Sequence, residues 1–191
     1  GAIVGHLIDL NGADNVTIDG LNTGGNSLTI SNTDTSSSAS TIRFTADASN
    51  NTVTNCTVLG STGSSLSSGF GVIYFGSATV TGNDNNTISN NNITAAGANL
   101  PISGIFSQNL TAATNNSGII ISGNNISDYF NTNSSSSGIN VNSGNSAWTI
   151  SNNKLFQTAT RTYLAAATHN GISITSGSGY AITGNTIGYA N

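Results

Sequence analysis

The 191-residue chain carries very little charge and contains neither glutamate nor methionine. Only 5% of its residues are charged, whereas about a quarter are charged in an ordinary globular domain. The three basic residues are Arg43, Lys154 and Arg161. Three cations cannot neutralise a phosphate backbone, so we expect no nucleic-acid partner.

Cysteine, histidine and long apolar runs are also scarce. Cys56 is the only cysteine, so no disulfide can form within the chain, and His6 and His169 are widely separated from it. No zinc site follows from this spacing, and we predict no metal site and no cofactor. No run of about 18 apolar residues occurs, so we expect no membrane insertion. The first ten residues lack a basic signal segment, which favours a mature chain or a segment of a longer protein.

Serine, threonine, asparagine and 23 glycines fill the positions that charged residues usually occupy. Serine, threonine and asparagine compete with the helical backbone, and each glycine costs about 1 kcal/mol in a helix. Hydrophobic residues make up 36% of the chain, and the isoleucine and valine among them favour strands, as does threonine. The composition therefore predicts a β protein with a hydrophobic core.

A repeat runs through the whole chain. An aliphatic residue is followed by small polar residues and, five positions later, usually by a second aliphatic residue. A short alternating run such as residues 139–141 precedes each copy, and a third short strand is predicted at residues 27–31. Three strands per coil of roughly 33 residues predict a single all-β domain, residues 1–191, folded as a right-handed parallel β-helix of about six coils. The copies begin at Ile18, Val53, Ile88, Ile121, Ile150 and Ile182.

The third position of the motif holds only glycine or asparagine. These two residues adopt the left-handed backbone conformation most readily. We therefore predict a sharp turn at the same place in every coil, at Gly20, Asn55, Asn90, Gly123, Asn152 and Gly184.

The fourth position predicts a ladder of asparagines. Leu21 and Cys56 occupy it in the first two copies, which favours an inward-facing column because free cysteine is usually buried. Stacked side-chain amides can hydrogen-bond between coils at a spacing of about 4.8 Å. The ladder is predicted at Asn91, Asn124, Asn153 and Asn185.

The stretches LNGADNVTIDGLN, NNTVTNC and NNTISNNNI resemble the repeats of right-handed parallel β-helix proteins of the pectin-lyase-like superfamily. They also look like the β-helix repeats of large secreted surface proteins of the Bacteroidetes, which often carry a type IX secretion signal. The resemblance implies an extracellular or cell-surface location. The near absence of charge and the dominance of the repeat favour a non-catalytic role as an adhesin stalk or an assembly element, with neighbouring coils, domains or other surface proteins as partners.

Relatives with this fold include polysaccharide lyases and glycoside hydrolases, which need clustered acidic residues. The seven acidic residues here are aspartates scattered along the chain, and none shares a motif column with another in a neighbouring coil. We therefore predict no catalytic residue, although coils outside this sequence could complete an acidic cluster.

A carbohydrate-binding role is the main alternative. Polar loops recur at residues 33–40, 60–68, 95–102, 109–116, 129–137 and 156–170, so they are expected to lie together on one face. The candidate ligand-binding residues are Trp148, Arg161 and Tyr163. Trp148 is either a platform for a sugar ring or a packed core residue. Ice binding is a weaker alternative, because no regular threonine column repeats through the coils.

Overall fold

The computed structural model describes residues 1–21, 28–63, 70–111 and 113–188, which form a parallel β-solenoid. These residues contain strands, turns and loops, and no helix that could span a membrane. Three six-stranded sheets run along the solenoid, and the chain enters each of them once per coil. Thr23, the end of the first repeat copy, and Ser27, the start of the predicted third strand, lie outside the described residues.

Every coil contributes one strand to each sheet, in the order first, second, third. The first sheet contains β1 (His6–Asn11), β4 (Ser40–Thr45), β7 (Ile73–Phe75), β10 (Ser103–Ser107), β14 (Ser136–Val141) and β18 (His169–Ile174). The second contains β2 (Thr17–Asp19), β5 (Thr52–Thr54), β8 (Thr87–Ser89), β12 (Ile120–Ser122), β16 (Thr149–Ser151) and β19 (Ala181–Thr183). The third contains β3 (Thr29–Ser31), β6 (Thr57–Gly60), β9 (Asn92–Ala95), β13 (Asn125–Ser127), β17 (Lys154–Phe156) and β20 (Thr186–Ile187). A short pair, β11 (Asn116–Ser117) and β15 (Asn145–Ser146), lies between the first two sheets along the chain.

All strand pairs are parallel and in register, so equivalent residues form columns along the solenoid. One column of the first sheet contains isoleucine in every coil, at positions 31 to 34 residues apart. It consists of Ile8, Ile42, Ile73, Ile105, Ile139 and Ile172.

The core follows from the alternation of side chains along these short strands. In β5, β8 and β16 the middle residue is buried and its two neighbours are half-buried, because successive side chains point to opposite faces of a sheet. Phe44 and Phe75 stack in the interior with ring centroids 4.6 Å apart. In the last coil the equivalent residues are less covered, and Ile182 and Ile187 are 49% and 56% exposed.

The predicted parallel β-solenoid with three strands per coil is confirmed. The two aliphatic ends of the repeat motif lie in different sheets, with the turn between them; Val53 belongs to β5 and Val58 to β6. In the first coil the residue that pairs with Val58 is Ile30, not a residue five positions after Ile18. The segment between β2 and β3 is therefore longer than in later coils.

Candidate functional site

The corner between the second and third sheets, which we call the ladder corner, contains the predicted asparagine column. The Nδ2 atoms of Asn91, Asn124 and Asn153 each donate a hydrogen bond to the Oδ1 atom of the next asparagine, at 3.1, 2.9 and 2.9 Å. The ladder ends at Asn185 within the described residues, and Asn91, Asn124 and Asn153 are at most 1% exposed.

Each ladder amide also binds the backbone of the preceding coil. The Oδ1 atom of Asn124 accepts a hydrogen bond from the backbone N–H of Asn91 at 2.9 Å, and its Nδ2 donates to the carbonyl of Ile88 at 2.9 Å. The same pair of contacts recurs at Asn91 and Asn153. The N–H groups of Cys56, Asn91 and Asn124 lie in the turn, outside the strands, so the ladder oxygens satisfy donors that would otherwise be buried unpaired.

Five of the six predicted turn positions have a left-handed backbone, with φ between 56° and 66°; Gly20 does not. In the first coil Leu21 takes this conformation instead, with φ 47°. Gly20 is needed for a different reason, because a Cβ atom there would lie 1.9 Å from the carbonyl oxygen of Asn55. Leu21 is 69% exposed, so its predicted place in the inward-facing column is wrong, whereas Cys56 is buried.

A second, shorter asparagine column was not predicted. Asn51 and Asn86 precede β5 and β8, and the Oδ1 atom of Asn86 accepts a hydrogen bond from the backbone N–H of Asn51 at 2.9 Å. Their Nδ2 atoms donate to the carbonyls of Ala13 and Ala48, each at 2.8 Å. The sequence Asn-Asn-Thr occurs at the start of both β5 and β8, and this repeat could have indicated the second column. Only the second asparagine of each repeat is buried.

Trp148 lies in the same column as Asn51 and Asn86, two coils after Asn86, and it is completely buried. Its Nε1 donates a hydrogen bond to the carbonyl of Asn116 at 2.9 Å, and its ring packs on that of Phe75 in a T-shaped arrangement with the centroids 5.4 Å apart. The prediction of Trp148 as a ligand-binding residue is therefore wrong, because a ring with no exposed face cannot stack on a sugar. The alternative interpretation, core packing, describes its place in the structure.

All seven aspartates accept hydrogen bonds, and six of them do so from the next coil. Asp9 receives two hydrogen bonds from the Arg43 guanidinium, at 2.8 and 2.7 Å, and the pKa of Asp9 is lowered chiefly by this interaction. Within the part of the chain that the structure describes, the Asp34 carboxylate accepts hydrogen bonds from Ser36 of its own loop. Each of these six aspartates accepts from at least one residue of the next coil: Arg43, Ser49, Asn55, Thr79, Ser117 or Thr158.

Asp47 is the aspartate with the most donors. The backbone N–H groups of Thr79, Val80 and Thr81 approach its Oδ1 atom at 3.0 Å each, and the Thr79 hydroxyl binds its other oxygen. Burial raises the pKa of Asp47, but these hydrogen bonds outweigh burial and hold the pKa far below its usual range. Asp47 therefore anchors a complete turn of the next coil.

The corner between the third and first sheets, which we call the loop corner, contains five connections of different lengths. They span residues 32–39, 61–72, 96–102, 128–135 and 157–168. The prediction that the polar loops lie on one face is correct for four of the six and for residues 61–63 of a fifth, whose residues 64–68 lie outside the described part of the chain. The sixth, at residues 109–116, follows the first sheet and therefore lies at a different corner.

Arg161 links two of these loops. Its guanidinium lies 2.7 Å from the Asp128 carboxylate and donates a second hydrogen bond to Gln157 at 3.2 Å. Burial raises the pKa of Asp128, but hydrogen bonds from Thr158 and the Arg161 charge outweigh it and lower the pKa. The Arg161 charge is therefore balanced locally.

Tyr163, the remaining candidate, belongs to an aromatic cluster at the same loops. Its ring lies 4.8 Å from Phe130, and its hydroxyl donates to the carbonyl of Thr168 at 3.0 Å. Tyr129 stacks on His169 at 4.9 Å, and burial raises the pKa of Tyr129 to about 12. The cluster lines a pocket of about 440 Å³, and both Arg161 and Tyr163 belong to the lining of this pocket.

A larger groove of about 630 Å³ runs along the solenoid beside this pocket, and we call it the axial groove. All five loops of the loop corner contribute to its lining. The polar residues of its lining include Thr35, Ser61, Asn99, Asn131, Thr160 and Thr162.

Among the described residues, no three histidine, cysteine, aspartate or glutamate side chains come close enough to hold a metal ion. Comparison of the chain with protein families, curated proteins and solved structures finds no match.

Proposed function

We propose that this chain is a non-catalytic, rigid solenoid module of an extracellular or cell-surface protein, acting as a stalk or an assembly element. The proposal rests on the hydrogen bonds that the aspartate carboxylates accept. Six of the seven aspartates link one coil to the next, so the acidic residues serve the stack.

The buried asparagine ladder supports the same role. It connects four successive coils through uncharged side chains, and each rung satisfies backbone groups as well as its neighbour. Hydrogen bonds of this kind are strongest away from water, and removing any one leaves others unpaired. The neighbours of such a module would be further coils, adjoining domains or other surface proteins.

A catalytic role is the less favoured alternative because of the pKa directions. A general acid needs a pKa raised towards the working pH so that it holds a proton. The pKa values of Asp9, Asp19, Asp34, Asp47 and Asp128 are instead lowered. The proposed affiliation with secreted type IX surface proteins rests on the resemblance of the repeats alone.

Mechanical unfolding of single molecules, pulled from the two chain ends, tests the proposed scaffold. We expect resistance followed by stepwise release of whole coils. Each step should lengthen the chain by about 110 Å, because one coil contains 31 to 34 residues at about 3.4 Å each. Asn124→Ala should lower the unfolding force, whereas Asn125→Ala, which changes an exposed neighbour, should not.

Extension at low force without steps would contradict a rigid scaffold. Turnover of a polysaccharide by the purified chain would contradict the non-catalytic assignment, so both assays use the same preparation.

A further inference from the structure

We infer that the axial groove binds a linear, uncharged oligosaccharide lying along the solenoid. The inference goes beyond the proposed scaffold, which does not depend on it. A volume of about 630 Å³ is within the range of ligand sites.

The length of the groove favours a chain-like ligand. Thr35, Ser61, Asn99, Asn131 and Thr160 come from five successive loops of the loop corner. Adjacent coils lie about 4.8 Å apart, so four steps give the groove a length of roughly 19 Å. A ligand that fills it must be elongated and must contact several coils.

The lining favours an uncharged ligand with many hydroxyl groups. Its side chains are threonine and serine hydroxyls, asparagine amides and a few apolar groups, and Arg161 is the one charged residue in the lining that the structure describes. The Asp128 carboxylate lies 2.7 Å from the Arg161 guanidinium, so the groove offers no net positive charge to an anion. Hydroxyls and amides both donate and accept hydrogen bonds, which suits the hydroxyl groups of a neutral sugar chain.

Hydrogen bonds between loops hold the groove in place before any ligand arrives. The Asn131 side chain donates to the carbonyl of Gly63, two coils away. The backbone N–H of Phe130 donates to Pro101 and that of Leu164 to Thr132, each at 2.8 Å. A preformed site loses less conformational entropy on binding than one that must be ordered by its ligand.

An extended peptide fits this groove less well. Peptides commonly bind by adding a strand to the open edge of a sheet. The edge strands of the three long sheets here belong to the first and last coils, β1, β2 and β3 at one end and β18, β19 and β20 at the other. The groove crosses the loops between those ends, so a peptide in it would gain no backbone pairing with a sheet.

Calorimetric titration can test the inference with cello-, manno-, malto- and xylo-oligosaccharides as neutral probes. Oligogalacturonates serve as anionic sugar probes, and unstructured polar peptides test whether the groove binds a peptide instead. We expect at least one neutral series to bind, with affinity rising with chain length and insensitive to salt. Thr162→Trp should weaken that binding about tenfold or more, because the indole occupies part of the groove. Thr17→Trp, on the exposed face of β2, is the matched control and should bind as the unaltered chain does.

Four results would overturn the inference: equal binding by Thr162→Trp, binding of oligogalacturonates alone, binding of peptides alone, or no binding by protein shown to be folded. The first would leave sugar recognition at another site. None of them would alter the stepwise unfolding expected of the scaffold, so the two proposals fail separately.

Discussion

The ladder corner and the loop corner are built from the same coils by opposite means. At the ladder corner the connection is short, the asparagines are buried, and each rung repeats the contacts of the previous one. At the loop corner the connections differ in length and sequence from coil to coil, and an ion pair and an aromatic cluster join them. Repetition therefore stabilises one corner, while the other is free to vary.

The ladder corner supports the proposed structural role, and the loop corner supports the proposed binding site. A buried column of identical amides cannot tolerate change without leaving polar groups unpaired, which suits a structural role. Surface loops carried by a rigid scaffold tolerate substitution, and binding residues are often found on them. The axial groove lies entirely on that second kind of surface.

The largest expected effect is that of Asn124→Ala. The change leaves the backbone N–H and the Nδ2 of Asn91 without the Asn124 oxygen that accepts from both. We expect the free energy of unfolding to fall by about 3 kcal/mol, because each buried unpaired group costs about 1–3 kcal/mol. Chemical denaturation measures the change, and Asn125→Ala, whose side chain is exposed, should lose about 0.5 kcal/mol or less.

A smaller effect is expected at the turn beside the ladder. Gly123 has φ +66°, and a Cβ atom there would lie 2.5 Å from Oδ1 of Asn90. Gly123→Val should cost about 2 kcal/mol, because a β-branched residue is strained in this conformation. Gly123→Asn should cost less, since asparagine already occupies the equivalent turn at Asn90 and Asn152 with φ 56°. Equal losses for the two variants in thermal unfolding would remove backbone strain as the reason.

Acid should loosen the loop corner before the ladder corner. The pKa of Asp128 is lower in the folded chain than its ordinary value, so its contribution to stability is complete above about pH 4 and is lost as the pH falls through the folded pKa. The ladder amides do not titrate. Hydrogen exchange, corrected for its intrinsic pH dependence, should therefore rise first in residues 157–168 below about pH 4.

Asp128→Asn is the control for this acid response. The variant should show faster exchange in those residues already at neutral pH and little further change in acid. An unaltered acid response in Asp128→Asn would assign the loosening to other carboxylates.

The smallest effect is expected for Thr162→Ala in the exposed part of the loop corner. Its side chain lines the axial groove, and surface substitutions of this kind change stability by about 0.5 kcal/mol or less. A loss comparable to that of Asn124→Ala in chemical denaturation would break the contrast between the corners.

The fold could be predicted because its determinants repeat in the sequence. A residue that recurs in register, such as the middle isoleucine of β8, β12 and β16, identifies a strand and its buried face together. The same regularity predicted the ladder at Asn91, Asn124 and Asn153. It failed in the first coil, where a longer segment replaces the short turn and Leu21 points outwards.

The candidate site was less predictable because its contacts do not repeat. Arg161 and Tyr163 could be named from the sequence, but the partners Asp128 and Phe130 come from a loop about thirty residues earlier. Trp148 was misplaced among the ligand-binding residues because its column is not uniform, with asparagine in two coils and Ile119 in the coil before Trp148. Such contacts depend on how unequal loops fold over one another, which periodicity does not encode.

Native-state hydrogen exchange, resolved by residue, tests the contrast between the corners most directly. The backbone amides of Asn91, Asn124 and Asn153 donate to ladder oxygens and should exchange only on global unfolding. Exposed amides of residues 157–168 should exchange by local opening at much lower free energy. Equal protection at the two corners, or ladder amides that exchange by local opening, would contradict the account.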